Sequence, residues 1–276
     1  MSNNICCYWE GKIPPAYLTL CVSTWVKYID LSQVVILNQL NINKYIGDSV
    51  DLNDIRMYSF AKQSDIVSAF YLSKHGGAFI DIDTIMVNEG ALDFLKPSEN
   101  NDVLKLFGNI KTGGIHIGAL SSPAGGQVVR YWAEELLRKV PRWEEDNSWA
   151  YVGNLIVEPY VKRSENLHLI DIIDVNESYA TPEIQGIEDH LLNPRQKYEE
   201  FWFSPLTEDR KYYIDSLEEK CGGTISLHNS WTPDWYSQLS IDEVLENNCT
   251  LSYFFNKHSD LNEILKVEEI LKYGSR

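Results

Sequence analysis

Two aspartates that follow an apolar segment near residue 80 have the type and spacing to bind a divalent cation. Ala78-Phe79-Ile80 predicts a buried strand, and Asp81-Ile82-Asp83 comes directly after it. Because strand side chains alternate, we expect the carboxylates of Asp81 and Asp83 to lie on the same side. Two close anions repel each other unless a positive group lies between them, and hard cations prefer oxygen ligands. The pair therefore predicts a metal or ligand site, and the alternative is a solvated acidic loop.

A helix and a glycine turn are predicted immediately before this strand. Ser64 or Asp65 is the expected helix cap, apolar residues between Ile66 and Leu72 follow helical spacing, and Gly76-Gly77 is expected to end the helix. Ligands of α/β sheets bind beyond the carboxyl ends of strands, which is where this pair falls. The placement favours a functional site over a solvated loop.

The rest of the chain predicts an α/β fold with additional helices at its C-terminal end. A strand at 4–9, a helix at 16–28 and a strand at 33–38 form a βαβ unit, whose crossover should be right-handed. Further expectations are a short helix within 43–53, strands at 102–107, 115–119, 167–170 and 224–227, helices at 127–139 and 155–163, an irregular segment at 181–205, and two helices within 240–273 capped by Ser240 and Asp260.

Composition limits the classes of partner. The 276 residues are 44% hydrophobic and 12% aromatic, which is enough apolar material for the core of one α/β domain. The formal net charge of −16 disfavours nucleic acid and an anionic membrane surface. An acidic protein that binds an anionic ligand needs local positive charge, which a metal ion would supply.

Cysteine usage and the apolar segments indicate a cytoplasmic protein, at most peripheral to a membrane. The five cysteines form no CxxC pair, and scattered thiols of odd number fit a reducing compartment. We expect no signal peptide at the start of the chain and no transmembrane segment, because no apolar run approaches the ~20 residues that span a bilayer.

The central segment resembles a known family. From Ser64-Asp65-Ile66 to His75-Gly76-Gly77-Ala78-Phe79-Ile80-Asp81-Ile82-Asp83 it is similar to glycosyltransferases with a DXD sugar-binding region, which include the family 32-like capsular polysaccharide synthesis group and, more distantly, glucosylating bacterial toxins. The opening, Tyr8-Trp9-Glu10-Gly11 with Pro14-Pro15, Cys21 and Ser23-Thr24-Trp25, resembles the start of the capsular transferases. The chain departs from the family at Ser68, where relatives have Arg.

The resemblance implies a fold and a donor site. The expected fold is the GT-A nucleotide-diphospho-sugar transferase fold, with a mixed central sheet flanked by helices over 1–239 and a C-terminal helical extension over 240–276 packed on the same domain. It implies that Asp81 contacts the ribose or sugar and that Asp65 reaches the nucleoside or sugar. Trp9 would stack on the base, although an aromatic residue at a strand end is equally typical of the core. The implied donor-binding residues are Tyr8, Trp9, Asp65, Gly77, Asp81, Asn229, Ser230 and Trp231.

The same resemblance implies the metal ligands. The family uses Mn²⁺ or Mg²⁺, and Asp83 would be one ligand. His228 ends a second predicted strand, and neutral imidazole binds Mn²⁺, so we predict it as the third protein ligand, although a lone histidine is often structural. Asp81 and Asp83 are the predicted catalytic residues.

Candidate acceptor contacts are less specific. Aromatic residues among polar ones at 141–154 are typical of surfaces that stack on sugars, and a loop packed on the core is the alternative. His116 lies on the polar face of a predicted strand, where a structural role is the alternative. The acceptor candidates are His116, Trp143, Trp149 and Asn154.

Taken together, the sequence predicts a metal-dependent retaining glycosyltransferase. It would move galactose or glucose from a UDP-sugar to a glycan or lipid-linked oligosaccharide acceptor, in synthesis of a bacterial capsule, exopolysaccharide or other surface glycan. Two alternatives stay open: a transferase that glycosylates a protein, and a non-catalytic relative that binds nucleotide sugars, which Ser68 motivates.

Overall fold

A six-stranded mixed sheet forms the centre of the molecule. The structure, a computed structural model, describes residues 4–10, 13–99, 102–109, 114–142, 148–174 and 193–274. The strands in these residues are β1 (Ile5–Tyr8), β2 (Val34–Leu37), β3 (Gly77–Ile80), β4 (Thr84–Met86), β5 (Leu104–Asn109), β6 (Gly114–Ser122), β7 (Ile170–Asp174) and β8 (Thr224–Ser226). The central sheet has the order β2-β1-β3-β6-β5-β7, and β4 and β8 form a separate antiparallel pair.

The sheet is parallel at its edges and antiparallel in the middle. Strand β1 runs parallel to β2 and β3, β6 runs antiparallel to β3 and β5, and β5 runs parallel to β7. The mixed α/β fold class predicted from the sequence is confirmed.

Helices cover both faces of the sheet. Those described are α1 (Ala16–Trp25), α2 (Ile42–Ile46), α3 (Leu52–Ile55), α4 (Phe60–His75), α5 (Gly90–Leu95), α6 (Gln127–Lys139), α7 (Asn154–Val161), α8 (Pro194–Phe203), α9 (Glu208–Lys220), α10 (Asp234–Ser237), α11 (Ile241–Glu246), α12 (Thr250–His258) and α13 (Ile264–Tyr273). Short 3₁₀ helices lie at Leu31–Gln33, Val140–Arg142, Ser164–Leu169 and Asn229–Trp231. Because side chains alternate along β1, Ile5 and Cys7 join one hydrophobic cluster while Cys6 and Tyr8 join the other.

The C-terminal helices share a hydrophobic cluster with α1. Val244, Phe254 and Val267 are buried in the same cluster as Leu20 and Trp25. The indole N–H of Trp25 donates to the carbonyl of Thr84 at 2.7 Å, so α1 also fixes the backbone of β4. None of the described helices has the length and apolar character needed to cross a membrane.

The predicted start of α4 was wrong. The helix begins at Phe60 after Ser59, one turn before the expected cap at Ser64 or Asp65. The extra turn is stabilised by Gln63, whose buried side chain donates to the carbonyl of Tyr58 at 2.7 Å and accepts from the Tyr8 hydroxyl at 2.6 Å. These tertiary bonds have no signature in helical periodicity.

Three further boundaries were wrong. Residues 164–169 are a 3₁₀ helix, and the strand begins at Ile170 because pairing with β5 starts there. Within 181–205, α8 is helical and carries an Asn193–Gln196 capping box, while 181–192 lies outside the described residues. The segment 240–273 contains three helices; Ser240 caps the first, but Asp260 caps none, since α13 begins at Ile264.

Gly77 is required by a close backbone approach at the start of β3. Its φ is +93°, and a Cβ there would lie 2.5 Å from the carbonyl oxygen of Asn4. Gly125 has a similar φ of +71° but no heavy atom within 4 Å of the corresponding Cβ position. Both glycines therefore have a backbone conformation that is unfavourable for other residues, but only at position 77 would an added Cβ clash with another atom.

We expect Gly77→Ala to destabilise the fold more than Gly125→Ala. Positive φ alone should cost about 1 to 2 kcal/mol in both variants, and the clash should add about 1 to 3 kcal/mol at position 77. Urea unfolding followed by circular dichroism measures the difference. Equal losses in the two variants would contradict the close approach.

Candidate functional site

A tight turn after β3 places the two aspartates of the DXD segment. The Asp81 N–H donates to the carbonyl of Gly118 at 2.7 Å, and the Thr84 N–H donates to the carbonyl of Asp81 at 3.1 Å. Asp81 thus ends the pairing with β6, and Asp83 directly precedes β4. The expectation that strand alternation aligns the carboxylates was wrong, because β3 ends at Ile80 and the turn arranges the pair.

The carboxylates are crowded and poorly solvated. Asp83 is 8% exposed, and burial raises its pKa to about 6 although its carboxylate accepts the Asn229 N–H at 2.8 Å. Burial and the negative charges of Asp83 and Asp65 raise the pKa of Asp81 well above its usual range. The site therefore favours a bound proton or a bound cation.

Asp65 supplies a third carboxylate from α4. Burial raises its pKa to about 7. Its carboxylate lies against Gly153, where a Cβ would come within 2.8 Å of Asp65 Oδ2. The preceding residue, Ser64, donates its hydroxyl to Asp81 Oδ1 at 3.4 Å, which links α4 to the turn.

His116 approaches Asp81 from the neighbouring strand. A Cβ on Gly118 would lie 2.5 Å from Asp81 Oδ2 and 2.7 Å from His116 Nε2, so both side chains converge on the space that glycine leaves. Burial, with a smaller contribution from His228, lowers the pKa of His116 to about 3. The imidazole is therefore neutral at physiological pH and offers one hydrogen-bond donor and one acceptor.

The segment after β8 reaches the same site. Pairing of β8 with β4 continues as the Leu227 N–H donates to the carbonyl of Asp83 at 2.9 Å. His228 follows, with its ring 4.3 Å from that of Trp231 and its N–H donated to the Tyr198 hydroxyl at 3.0 Å. Asn229 accepts from the Tyr17 hydroxyl. Asn229 and Ser230 are exposed, and Trp231 is half-buried.

Three other residues that were predicted to bind the donor make contacts within the fold: Tyr8, Trp9 and Gly77. Tyr8 is buried and donates its hydroxyl to Gln63. Trp9 is half-buried, packs against the α1 side of the core and donates its N–H to the carbonyl of Leu37 at 2.9 Å. Gly77 lies at the opposite end of β3 from Asp81, beside Asn4.

Two of the predicted acceptor residues, Trp149 and Asn154, lie at or just before the start of α7. Trp149 is 61% exposed in the turn before α7. Asn154 begins α7 and donates its amide to the carbonyl of Ile115 at 3.0 Å, while its buried Oδ1 has no partner among the described residues. Trp143 lies outside the described residues.

Four residues at the site were missed by the sequence analysis. Gly118 and Gly153 leave the space that the carboxylates and imidazole occupy, and Tyr17 and Tyr198 hold Asn229 and His228. Gly118 follows a strand histidine, His116, by two residues, which is a weak sequence signal. Nothing in the sequence marks the two tyrosines.

The carboxylates fit a hard divalent cation that is completed by a ligand. Within the described ranges, no three His, Cys, Asp or Glu side chains converge on a single metal position. Magnesium and similar ions are commonly held by one or two carboxylates plus substrate phosphates rather than by a full protein cage. Asp81 and Asp83 suit that arrangement, and His228 as a third ligand stays a prediction.

The comparisons with known proteins agree with this site. Residues 15–100 match the family model described as "Glycosyltransferase sugar-binding region containing DXD motif". This segment is therefore similar to the sugar-binding region of DXD glycosyltransferases. The matched segment contains Asp65, Asp81 and Asp83, the three carboxylates that the structure brings together. No curated protein sequence matches the chain.

A solved glycosyltransferase structure shares the fold. The glycosyltransferase GlyE of Streptococcus pneumoniae TIGR4 superposes with a TM-score of 0.52 at 11% identity, over 100% of this chain and 66% of GlyE. The PaToxG glycosyltransferase matches with a TM-score of 0.43 at 14% identity, over 80% of this chain and 86% of the PaToxG chain. The bifunctional glycosyltransferase WbbM matches with a TM-score of 0.48 at 11% identity, over 97% of this chain and 51% of the WbbM chain. The likeness to GlyE confirms the GT-A fold class; the chain spans just under two thirds of GlyE.

The pKa of Asp65 predicts a pH-dependent stability. Its folded-state pKa of about 7 lies above its ordinary value of 3.8, so protonation favours the folded state, and stability falls as pH rises from about 4 to 7. Asp65→Asn should flatten this dependence, by about 3 kcal/mol between pH 5 and pH 8. Urea unfolding in a metal-free buffer at both pH values measures it, with Glu134→Gln on the exposed face of α6 as control. An unchanged pH slope in Asp65→Asn would contradict the assignment.

Proposed function

We propose that the protein is a metal-dependent retaining glycosyltransferase that moves galactose or glucose from a UDP-sugar to a glycan acceptor. The observation that carries the proposal is the convergence of Asp81 and Asp83 with the His228–Asn229 segment at the end of β3. The family match over 15–100 and the fold shared with GlyE support it. The proposed context is synthesis of a bacterial capsule or another surface glycan, on the cytoplasmic side.

Different residues of the site would bind different groups of the donor. Asp81 and Asp83 would hold Mn²⁺ or Mg²⁺ together with the donor diphosphate, and the bound cation would supply positive charge to offset the negative charge of the leaving phosphate. The Asp65 carboxylate would accept hydrogen bonds from hydroxyl groups of the donor, and the neutral His116 would donate one hydrogen bond to such a group or accept one from it. The exposed Asn229 and Ser230 would contact the phosphates, and the Trp231 indole N–H would donate to them.

Positioning comes from buried contacts behind these residues. The Asn229 N–H bound to Asp83 fixes one carboxylate oxygen, while the turn bond from Thr84 fixes the backbone of Asp81. Tyr17 and Tyr198 hold the segment after β8 from the core side. The site is thus rigid where the leaving group would sit, which favours electrostatic stabilisation without reorganisation.

Ser68 favours a second candidate, a nucleotide-sugar-binding protein without catalysis. Where relatives have Arg, the short Ser68 side chain is buried and donates to the carbonyl of Asp65 at 2.8 Å. No guanidinium is therefore available from this position to bind the donor. This candidate predicts donor binding without transfer to any acceptor.

Donor binding is the first test. We expect calorimetric titration with a panel of UDP- and GDP-sugars to show binding of one donor in Mn²⁺ and loss of at least about tenfold in affinity with chelator, which corresponds to about 1.4 kcal/mol. Binding that is insensitive to chelator would contradict a metal role for the aspartates. No binding by any nucleotide sugar would contradict both candidates.

Asp83→Ala separates the metal role from folding. We expect it to reduce transfer by at least about 10³-fold, because it removes a carboxylate from the leaving-group site. Circular dichroism and the unfolding midpoint should show that the fold persists. Asp93→Ala, on α5 outside the site, is the matched control. Retained turnover in Asp83→Ala would exclude the proposed mechanism.

A further inference from the structure

Trp235, on α10, is an exposed tryptophan that two buried aromatic rings hold in a fixed orientation. Its side chain is 47% exposed. The ring of Phe203 lies nearly perpendicular to it, with centroids 6.3 Å apart and planes at 82°, and the ring of Tyr236 does so at 5.4 Å and 89°. Phe203 and Tyr236 are both buried. These contacts fix the indole ring while leaving close to half of the residue's surface to solvent.

A row of aromatic rings connects Trp235 to the candidate site. Phe203 packs on Tyr198, with 6.0 Å between ring centroids, and Tyr198 packs on Trp231 at 5.6 Å. We call Trp231, Tyr198, Phe203 and Trp235 the aromatic row. Trp231 follows Asn229 by two residues, and the Asn229 N–H is bound to the Asp83 carboxylate. The aromatic row therefore leads from the carboxylate site to an exposed indole.

Chain geometry limits how far Trp235 lies from the site. Four residues separate it from Trp231, so the Cα atoms of the two tryptophans are at most about 14 Å apart. The chain between them is turned, because the Thr232 N–H donates to the carbonyl of Asn229 at 3.1 Å and the Tyr236 N–H donates to that of Pro233 at 3.0 Å. An acceptor whose reacting hydroxyl lay at the carboxylate site can therefore place a neighbouring sugar on Trp235.

Polar side chains flank the exposed indole. Gln238 follows Trp235 by three residues, which places it on the same side of the short helix. Asp234 directly precedes Trp235, and both polar residues are exposed. An aromatic face beside amide and carboxylate groups suits a sugar, because the apolar face of the sugar ring packs on the indole while its hydroxyls bond to the polar groups.

We propose that Trp235 binds a neutral sugar ring of the acceptor glycan by stacking, with Asp234 and Gln238 as hydrogen-bond partners of its hydroxyl groups. The proposal rests on the proposed transferase function and names the acceptor class. The Asp234 carboxylate accepts hydrogen bonds from hydroxyls but repels a carboxylate or a phosphate, so the site selects neutral saccharides over acidic ones. The excess of 40 acidic over 24 basic residues acts in the same direction.

The charge around α10 disfavours a lipid surface as the partner of Trp235. Asp234 lies in the first turn of α10, and Asp242 and Glu243 lie in the first turn of α11. No lysine or arginine occurs in the sequence from 228 to 246. Helices that lie on membranes carry lysine and arginine on their polar face, which attract anionic lipids. A saccharide is therefore the partner that this surface fits.

Saccharide binding is tested by saturation-transfer NMR titration of the full chain without a donor. The probes are cellobiose, lactose and cellobiouronic acid, which differs from cellobiose by one terminal carboxylate. We expect a neutral disaccharide to bind, and cellobiouronic acid to bind about two- to fivefold more weakly than cellobiose because of repulsion by Asp234. Asp234→Asn should remove this difference, since it keeps an acceptor oxygen and removes the charge.

The variants at position 235 assign the binding to stacking. Trp235→Ala should weaken binding of the neutral probes at least about fivefold, whereas Trp235→Phe should keep most of it, because stacking needs an aromatic face. The matched control is Tyr212→Ala, a 79% exposed aromatic residue on α9 outside the aromatic row, which should leave the affinity unchanged. The affinity for a UDP-sugar in Mn²⁺ and the unfolding midpoint should be the same in Trp235→Ala as in the unaltered protein.

Three saccharide results would overturn the proposal: no binding of either neutral disaccharide by the unaltered protein, equal affinity in Trp235→Ala, or equal losses in Trp235→Ala and Trp235→Phe. Binding of phosphatidylglycerol vesicles that Trp235→Ala abolishes would also overturn it, because it would assign the indole to a lipid surface. Failure of the transferase function gives a different result. No nucleotide sugar would then bind with Mn²⁺, while the saccharide titrations would keep their dependence on Trp235.

Discussion

Crowding of the carboxylates of Asp65, Asp81 and Asp83 beyond the end of β3 is the constraint that explains the arrangement around them. Desolvated anions at short range raise the free energy of the folded state unless protons or a cation compensate them. Burial raises the pKa of all three carboxyls, and the charges of Asp83 and Asp65 raise the pKa of Asp81 further. The stability of this cluster therefore depends on the protons or the cation that it binds. Such dependence is expected of a ligand site rather than of a structural core.

The short β4–β8 strand pair positions two residues of the candidate site, Asp83 and Asn229. It brings Asn229 to Asp83 across 146 residues of sequence. Its position depends on α1, because Trp25 binds the Thr84 carbonyl at 2.7 Å and the Thr24 hydroxyl accepts the Met86 N–H at 2.8 Å. Since α1 is packed in turn by the C-terminal helices, residues far from the carboxylates determine where Asp83 lies.

Helix α4 organises charge of both signs along one face. Asp65 faces the carboxylate cluster, and Lys62, one turn earlier, faces the Tyr151 ring. The chain has 40 acidic residues against 24 basic ones, so which of them meet along α4 is decided by tertiary packing rather than by composition.

The sequence by itself determined the fold class, the βαβ unit at the start of the chain and the DXD segment. Hydrophobic periodicity is local, so Gln127–Lys139 was predicted with the bounds that the structure has. The tertiary structure alone decided the start of α4, because buried bonds of Gln63 extend the helix. It also decided the turn that pairs Asp81 with Asp83 and the space left by Gly118 and Gly153. These depend on contacts between segments far apart in the chain, which periodicity and propensity do not encode.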